Sequence, residues 1–380
     1  MTENLTTSKT LSKCRACNSE MLSIVSKRSD FPLYIWPLPF KERTPLEDIY
    51  VYICDDCGYI QLQEMTENSI SEIYRDEAFN IENIEQLKER FDLITASDEK
   101  MFEESKVLEV GGGRNSFLDV LPSSSKKWVS DFSIEENLKA DMKGLFIGDF
   151  IEIDISEDDF DYIFMFHVLE HFNNPSAAIS KARKHLKHNG KIIIEVPNFE
   201  YESIYRPDYT IFHMHISLFT EISLLNFMRR NKFNCEILHK RDDVLLAEFS
   251  KDSTVRPINH SNDSYKQLQY LDSKMDLCKK NLMEFLVKNE NDNIAIFGGG
   301  GASTLFLYNY PFMIDHVPFA LDNDENKHGR SLCNGKVDIV DPKEIHKLDV
   351  KHVIILDKAH IEYVGNYNVN YIDIGTYYEQ

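Results

Sequence analysis

The segment Val107-Leu108-Glu109-Val110-Gly111-Gly112-Gly113-Arg114-Asn115 constrains the fold of this chain more than any other. A short apolar run breaks into three glycines, and Ser116 to Leu121 can open a helix, so the segment reads as strand, tight turn, helix. Glycines at such a turn let the backbone approach a ligand closely, and the first N–H groups of the helix are free for its polar or anionic parts. The design returns at Asn293-Ile-Ala-Ile-Phe-Gly298-Gly-Gly-Gly301-Ala-Ser-Thr304. Two open α/β units are therefore expected.

The residues after the first turn continue the pattern. Lys127 to Asp131 reads as a second strand ending in a carboxylate about twenty residues beyond the first, where open α/β sheets set an acid against ribose hydroxyls. Leu145 to Phe150 is a third strand edge, and its Asp149 and Phe150 are placed to flank a nucleobase. Asp161 to Phe166 is a continuous apolar strand of the kind buried in a parallel sheet, and it delivers His167-Val-Leu-Glu170-His171 to the edge where such sheets bind ligands. A helix (Pro175 to Leu186), a turn at Asn189-Gly190 and a strand (Lys191 to Val196) complete a βαβ rhythm. Thr220 is the expected N-cap of a helix from Glu221 to Arg230. Before it, His213 and His215 share one face if their segment is extended, a possible metal pair without a visible third ligand. An amphipathic helix over Tyr265–Lys288 leads to the second glycine-rich unit, where Asp322 repeats the placement of a ribose acid. There the glycines either cradle a nucleotide or only let a helix pack close to a strand.

A chain of 380 residues exceeds the size of one core. The boundaries read as 1–69, a metal-binding domain; 70–245, the first α/β domain; 246–290, a helical connector; and 291–380, the second Rossmann-like domain. A net charge of −21 argues against nucleic acid as partner and fits a small-molecule substrate. No run reaches the length of a membrane span, and the polar start MTENLTTSKTLSKC lacks the apolar core of a signal peptide, so the cytoplasm is the expected location. Oligomeric state is not readable. Cys14-Arg-Ala-Cys17 and Cys54-Asp-Asp-Cys57-Gly58 form two knuckles whose four thiolates can close a tetrahedral Zn2+ site, with a redox role as the competing reading.

The order of paired CxxC motifs, the Glu109-x-Gly111-x-Gly113 turn, His-Val-Leu-Glu-His-Phe, a His-rich segment before Leu-Phe-Thr, and Ala-Leu-Asp-Asn-Asp-Glu-Asn-Lys-His-Gly-Arg resembles the bacterial sugar C-methyltransferase family, from Cys14 to about Asp357. The resemblance implies a Rossmann-like class I methyltransferase core between a zinc domain and a C-terminal Rossmann-like domain. It also implies S-adenosylmethionine as cofactor and a nucleotide-linked deoxysugar as substrate. It sets Glu109, Gly111, Gly112, Gly113, Asp131, Asp149, Phe150 and His167 at the cofactor, and His171, with His215 and His167, at the chemistry. The chain departs from the family at Asn115, where a third glycine is usual, at Met214, where an acid is usual, and at Tyr74-Arg-Asp76-Glu-Ala-Phe79, where the family's Tyr-x-Tyr is not reproduced. Carbon methylation needs a base and an oxyanion donor, whereas oxygen methylation needs one base, so these departures shift weight toward oxygen. Two other readings remain: a scaffold that kept the fold and lost the site, and an oxidoreductase built on the C-terminal unit.

Overall fold

The computed structural model describes residues 11–39, 42–65, 84–112, 116–132, 142–252, 263–365, 367 and 369–379. In chain order the strands are β1 (Leu22–Pro32), β2 (Leu38–Pro39), β3 (Leu46–Cys54), β4 (Ile60–Leu62), β5 (Lys106–Val110), β6 (Lys126–Asp131), β7 (Met142–Ile147), β8 (Phe160–Phe166) and β9 (Leu186–Pro197). They continue as β10 (Ser217–Leu218), β11 (Phe233–Lys240), β12 (Val244–Lys251), β13 (Asn293–Phe297), β14 (Phe319–Leu321), β15 (Arg330–Leu332), β16 (Val337–Val340), β17 (Val350–Ile355) and β18 (Asn370–Asp373). The helices used below are α1 (Ile84–Thr95), α2 (Pro175–His185), α3 (Phe199–Tyr205), α4 (Glu221–Arg230), α5 (Asp263–Lys288) and α6 (Gly301–Asn309).

The central sheet has the order β11-β12-β9-β8-β5-β6-β7. β5, β6, β7, β8 and β9 run parallel, and β12 and β11 add antiparallel at one side. β5 lies between β6 and β8, the switch point at which such sheets open a ligand crevice beyond their C-terminal ends. The parallel strands are apolar because both faces are covered: Ile163, Phe164 and Met165 of β8 and Ile192, Ile193 and Ile194 of β9 are buried. α4 begins where the sequence placed it, and Thr220 and Ser223 close a reciprocal capping box.

Two local expectations are corrected. The glycine turn after β5 is followed by a 3-10 turn over Phe117–Val120, capped by Ser116, and not by an α-helix. Asn189-Gly190 does not separate helix from strand, because β9 already pairs at Leu186 with Phe160 and changes register before Tyr162 pairs with Lys191. Gly190 sits in that irregularity because a Cβ there would lie 2.7 Å from the Phe160 carbonyl oxygen.

The three parts are sewn together by strands that leave their own unit. β1, β3 and β4 form a sheet completed by β10 from the central region, and β2 adds to the edge of the C-terminal sheet beside β15. The C-terminal sheet, β18-β17-β13-β14-β16-β15-β2, has its own switch between β13 and its two parallel neighbours, β17 and β14. α5 buries Leu268, Leu271, Met275, Cys278 and Leu282. The N-terminal part also packs on α6: a Cβ at Gly301 would meet Ile35 Cδ1 at 2.9 Å and Trp36 Cζ3 at 3.4 Å. Gly301→Val is therefore expected to cost about 1–3 kcal/mol, because the helix start cannot retreat from both side chains. Urea unfolding followed by fluorescence checks this.

Candidate functional site

Along the C-terminal edge, the sheet order sets the ends of β7, β6, β5 and β8 side by side. Gly111 follows β5 with φ of +80°, and its N–H donates to the Ser130 carbonyl at 2.8 Å. A Cβ there would meet Val168 Cγ2 at 2.9 Å, and one at Gly112 would meet Val129 Cγ2 at 2.6 Å. The turn is thus glycine for backbone conformation and for close approach together. Glu109 is buried below it and accepts from Ser116 Oγ, from Phe117 N at 3.1 Å and from Leu118 N at 3.4 Å. Burial raises its pKa to about 7, against the pull of those donors. It shapes the turn from inside. Gly113 and Asn115 lie outside the described residues, as do Tyr74, Asp76 and Phe79.

Asp131 ends β6, and its carbonyl accepts from Gly148 N at 2.9 Å, which holds the loop after β7 against it. Asp149 Oδ1 accepts from Ile151 N at 2.8 Å. Phe150 is 3% exposed and lies within the core, its ring 6.4 Å from that of Phe172.

The histidines gather at the end of β8. His167 adopts φ of +51°, an uncommon conformation for a residue with a Cβ, and its N–H donates to the Glu195 carbonyl at 2.9 Å. Its ring is clamped by carboxylates on both nitrogens, Nε2 to Glu195 at 3.1 Å and Nδ1 to Glu170 at 3.5 Å. Burial disfavours the charged ring, but the hydrogen bonds and charges of Glu170 and Glu195 outweigh it and raise the pKa to about 10. His167 is therefore an imidazolium at neutral pH. Glu195 also binds Arg90 of α1, whose Nε lies 3.0 Å from the same oxygen. Burial raises the Glu195 pKa, yet His167 and Arg90 bring it down to about 2. Arg90 in turn lies over the Phe166 ring, 4.6 Å from its centre.

His171 differs in its bonding. Its Nδ1–H donates to the Met214 carbonyl at 2.7 Å, which leaves Nε2, 3.9 Å from Glu170 Oε1, as the ring nitrogen not tied to the backbone. His215 packs edge-on to His171 with ring centres 5.0 Å apart, and burial together with the His171 charge lowers its pKa to about 3. The structure brings Glu170, His171 and His215 within ligand distance of one another. It does not bring His213 there. The segment is a turn in which His215 N donates to Phe212 O at 3.2 Å, so the two histidines do not share an extended face. His213 is buried beside Phe31 and Glu47, and burial lowers its pKa to about 4. No metal pair forms between them.

Sequence reading missed Arg90 and Glu195. The signal for Glu195 was present: one carboxylate in the apolar run Lys191 to Val196, where a buried charge needs a partner. Arg90 carried no such signal, because an arginine in a helical pattern normally faces water.

At the N-terminal end, Cys14 and Cys57 have their sulfurs 3.7 Å apart and Cys17 and Cys54 3.5 Å apart, and none is in a disulfide. In the C-terminal unit, the Asp322 carboxylate is taken up by its own loop. It accepts from Gly299 N at 2.7 Å, Lys327 Nζ at 3.0 Å and Asp324 N at 2.8 Å. A Cβ at Gly299 would meet Ile339 Cγ2 at 2.9 Å. Close packing accounts for the glycines here.

A family model described as a methyltransferase domain matches residues 97–239, and one described as a C-methyltransferase C-terminal domain matches residues 258–378. The methyltransferase-domain match falls on most of the central sheet and its crevice edge, and the C-terminal match on the second α/β unit. The central sheet has the Rossmann-like class I methyltransferase fold. A comparison with curated proteins gave no match. Similar solved structures include one from Nostoc punctiforme at 18% identity and TM-score 0.35, covering 42% of this chain and 56% of that one. A protein from Pyrococcus horikoshii has 14% identity and TM-score 0.39, with 50% of this chain and 100% of that one covered. The 1,6-didemethyltoxoflavin-N1-methyltransferase of Burkholderia thailandensis has 16% identity and TM-score 0.34, with 49% and 84% covered. The chain thus spans little more than half of the length of the Nostoc protein. Among the described residues no helix is long and apolar enough to cross a membrane.

The clamp on His167 has a pH consequence. Its folded pKa lies above the unfolded value of about 6.5, so its contribution to stability is complete below that pH and is lost as pH rises through about 10. Glu195→Gln is expected to lower the His167 pKa by at least about one unit, read from imidazole NMR shifts across a pH series.

Proposed function

We propose that this protein transfers a methyl group from S-adenosylmethionine to a carbon of a nucleotide-linked keto-deoxysugar, with His171 as the base. The observation that carries this reading is the bonding of His171: Nδ1–H is tied to a backbone carbonyl, so Nε2, grouped with Glu170 and His215, is the nitrogen left to take a proton. Glu170, buried and 3.9 Å away, stabilises the imidazolium that forms when Nε2 takes a proton. His167 is protonated at neutral pH and serves as a fixed positive charge, and His215 packs against the base and orients it. Carbon is preferred over oxygen because the C-terminal match is to a C-methyltransferase domain. The nucleotide-sugar acceptor rests on the motif order. An intact, charged array at the edge favours an enzyme over a scaffold.

When bound, S-adenosylmethionine supplies a methyl group already activated on sulfonium. The edge fits it: Gly111, Gly112 and Gly113 would hold its amino-acid end with His167 beside them. Asp131 would hold the ribose, and Asp149, with Phe150 as a buried wall, the base. Four sulfurs within 4.8 Å of one another, two pairs of them 3.5 and 3.7 Å apart, also fit Zn2+, because Zn–S bonds of about 2.3 Å in a tetrahedron place sulfurs about 3.8 Å apart. Cys14, Cys17, Cys54 and Cys57 would fill its coordination sphere, giving a structural site without an open position.

Titration calorimetry with S-adenosylhomocysteine tests the cofactor assignment: micromolar binding is expected, and Asp131→Ala should weaken it about tenfold or more. No heat from the native protein at millimolar ligand would remove the reading. Metal analysis should return one zinc per chain, and Cys54→Ser should abolish it and lower the unfolding temperature. Methyl-labelled cofactor with candidate keto sugars, followed by fragmentation of the product, distinguishes a new C–C bond from a new C–O bond.

A further inference from the structure

Glu170 is 0% exposed, and neither oxygen of its carboxylate has a hydrogen-bond partner among the described residues. Oε1 lies 3.5 Å from His167 Nδ1 and 3.9 Å from His171 Nε2, ion-pair distances that leave its lone pairs incomplete. A buried carboxylate needs a donor or a cation to complete it, and its surroundings favour a cation. One ligand atom from each of Glu170, His171 and His215 falls within 4.8 Å of the others. His171 gives its Nδ1–H to the Met214 carbonyl at 2.7 Å, the outer bond that fixes a metal-bound imidazole in the tautomer whose Nε2 faces the ion. The His171 and His215 rings meet with centres 5.0 Å apart, and both residues keep some exposure where Glu170 has none, which gives an ion a way in. His167 and Arg90 stand against two carboxylates, Glu170 and Glu195, so the array carries no net charge to repel it. Bonds of about 2.0–2.2 Å from zinc to imidazole and carboxylate set tetrahedral neighbours about 3.4 Å apart. The 3.9 Å between Glu170 and His171 therefore closes with a small side-chain adjustment.

We propose that Glu170, His171 and His215 form a second metal site, separate from the four cysteines, for a divalent first-row transition ion of the Zn2+ class, and that the bound ion holds the enzyme inactive. Two imidazoles and one carboxylate are the donor set of such ions and leave one position open. Binding is coordination alone: Nε2 of His171 gives its lone pair to the ion, and no bond to carbon or sulfur changes. That lone pair is the one a proton from the acceptor would take, so ion and proton contend for it and a metal-bound His171 is no base. The site stands on the geometry of the three side chains, whereas the loss of activity rests on the reading of His171 as the base. With three ligands and no thiolate, this site is the weaker of the two: it empties in chelator while zinc stays at the cysteines, and it fills when metal is added.

The test titrates Co2+, a spectroscopic substitute for Zn2+, into the full chain after a weak chelator has cleared all but the cysteine-bound zinc. One Co2+ per chain is expected, with visible bands of a nitrogen and oxygen site, no thiolate charge-transfer band, and hyperfine-shifted ring protons from two histidines. Glu170→Gln and His215→Ala should each weaken this ion about 10–100-fold or more. Retained zinc and an unchanged unfolding temperature separate a lost ligand from a lost fold, and the ring-proton signals of the native chain need no variant. Failure of the native chain to take up Co2+ at millimolar metal overturns the site, as does a thiolate band or an affinity that survives both substitutions. The second arm supplies S-adenosylhomocysteine and a nucleotide-linked 4-keto-6-deoxyhexose in D2O and follows deuterium entering beside the carbonyl. Exchange should fall in step with Co2+ occupancy and return on adding EDTA; exchange that persists at full occupancy overturns the inhibitory role. A metal-free chain that exchanges no deuterium removes the carbon-methylation reading and the inhibitory role with it, while the metal site is decided by the spectra alone.

Discussion

The ion array Arg90–Glu195–His167–Glu170 is the constraint on which the site depends. Glu195 stands in the buried stretch Ile192–Val196 of β9, otherwise apolar, where an unpaired carboxylate would be strongly destabilising. Arg90 and His167 compensate it together, and each belongs to a different element. The compensation also does local work. It holds His167 in a left-handed backbone conformation at the end of β8, directly beside the glycine turn after β5. Removing one member would leave another buried and charged, so α1, β8 and β9 are bound to one arrangement of their ends.

Two histidines four residues apart thereby acquire opposite properties. His167, between two carboxylates, carries its proton through neutral pH. His171 has one nitrogen fixed to a backbone carbonyl and the other 3.9 Å from Glu170. Glu170 is held ionised by His167 despite burial. Pairs of like residues driven apart by their surroundings are how one fold holds acids and bases together at one pH.

The outer parts serve this arrangement by sharing strands with the centre. β10 lies immediately after His215 and joins the N-terminal sheet, so the segment that carries Met214 O and His215 is anchored outside the central domain. Arg15, beside the first cysteine pair, donates to the carbonyls of Leu62 at 2.6 Å and Asn173 at 3.1 Å. A metal at the four cysteines would therefore stiffen the same neighbourhood that holds His171. α5 and Gly301 extend the contact to the C-terminal sheet.

What the sequence determined by itself was the set of elements and the edge at which they end. Apolar runs of strand length, glycines at β5 and β13, the Thr220 cap and the paired cysteines act through neighbours a few residues away, and such local signals survive in one dimension. That Asp131, His167 and His171 lie at or just beyond strand ends was legible because the apolar runs before them stop there. The 3-10 turn after Gly113 and the strand start at Leu186 were misread, since helix and strand limits there depend on how closely β8 and the buried Glu109 approach. Only the tertiary structure decided which residues meet. Glu195 with Arg90, His171 with Met214 and Asp322 with its own loop are contacts set by strand order and burial. The protonation of each of these groups follows from that proximity and from the loss of water, and neither is a property of a residue read in isolation.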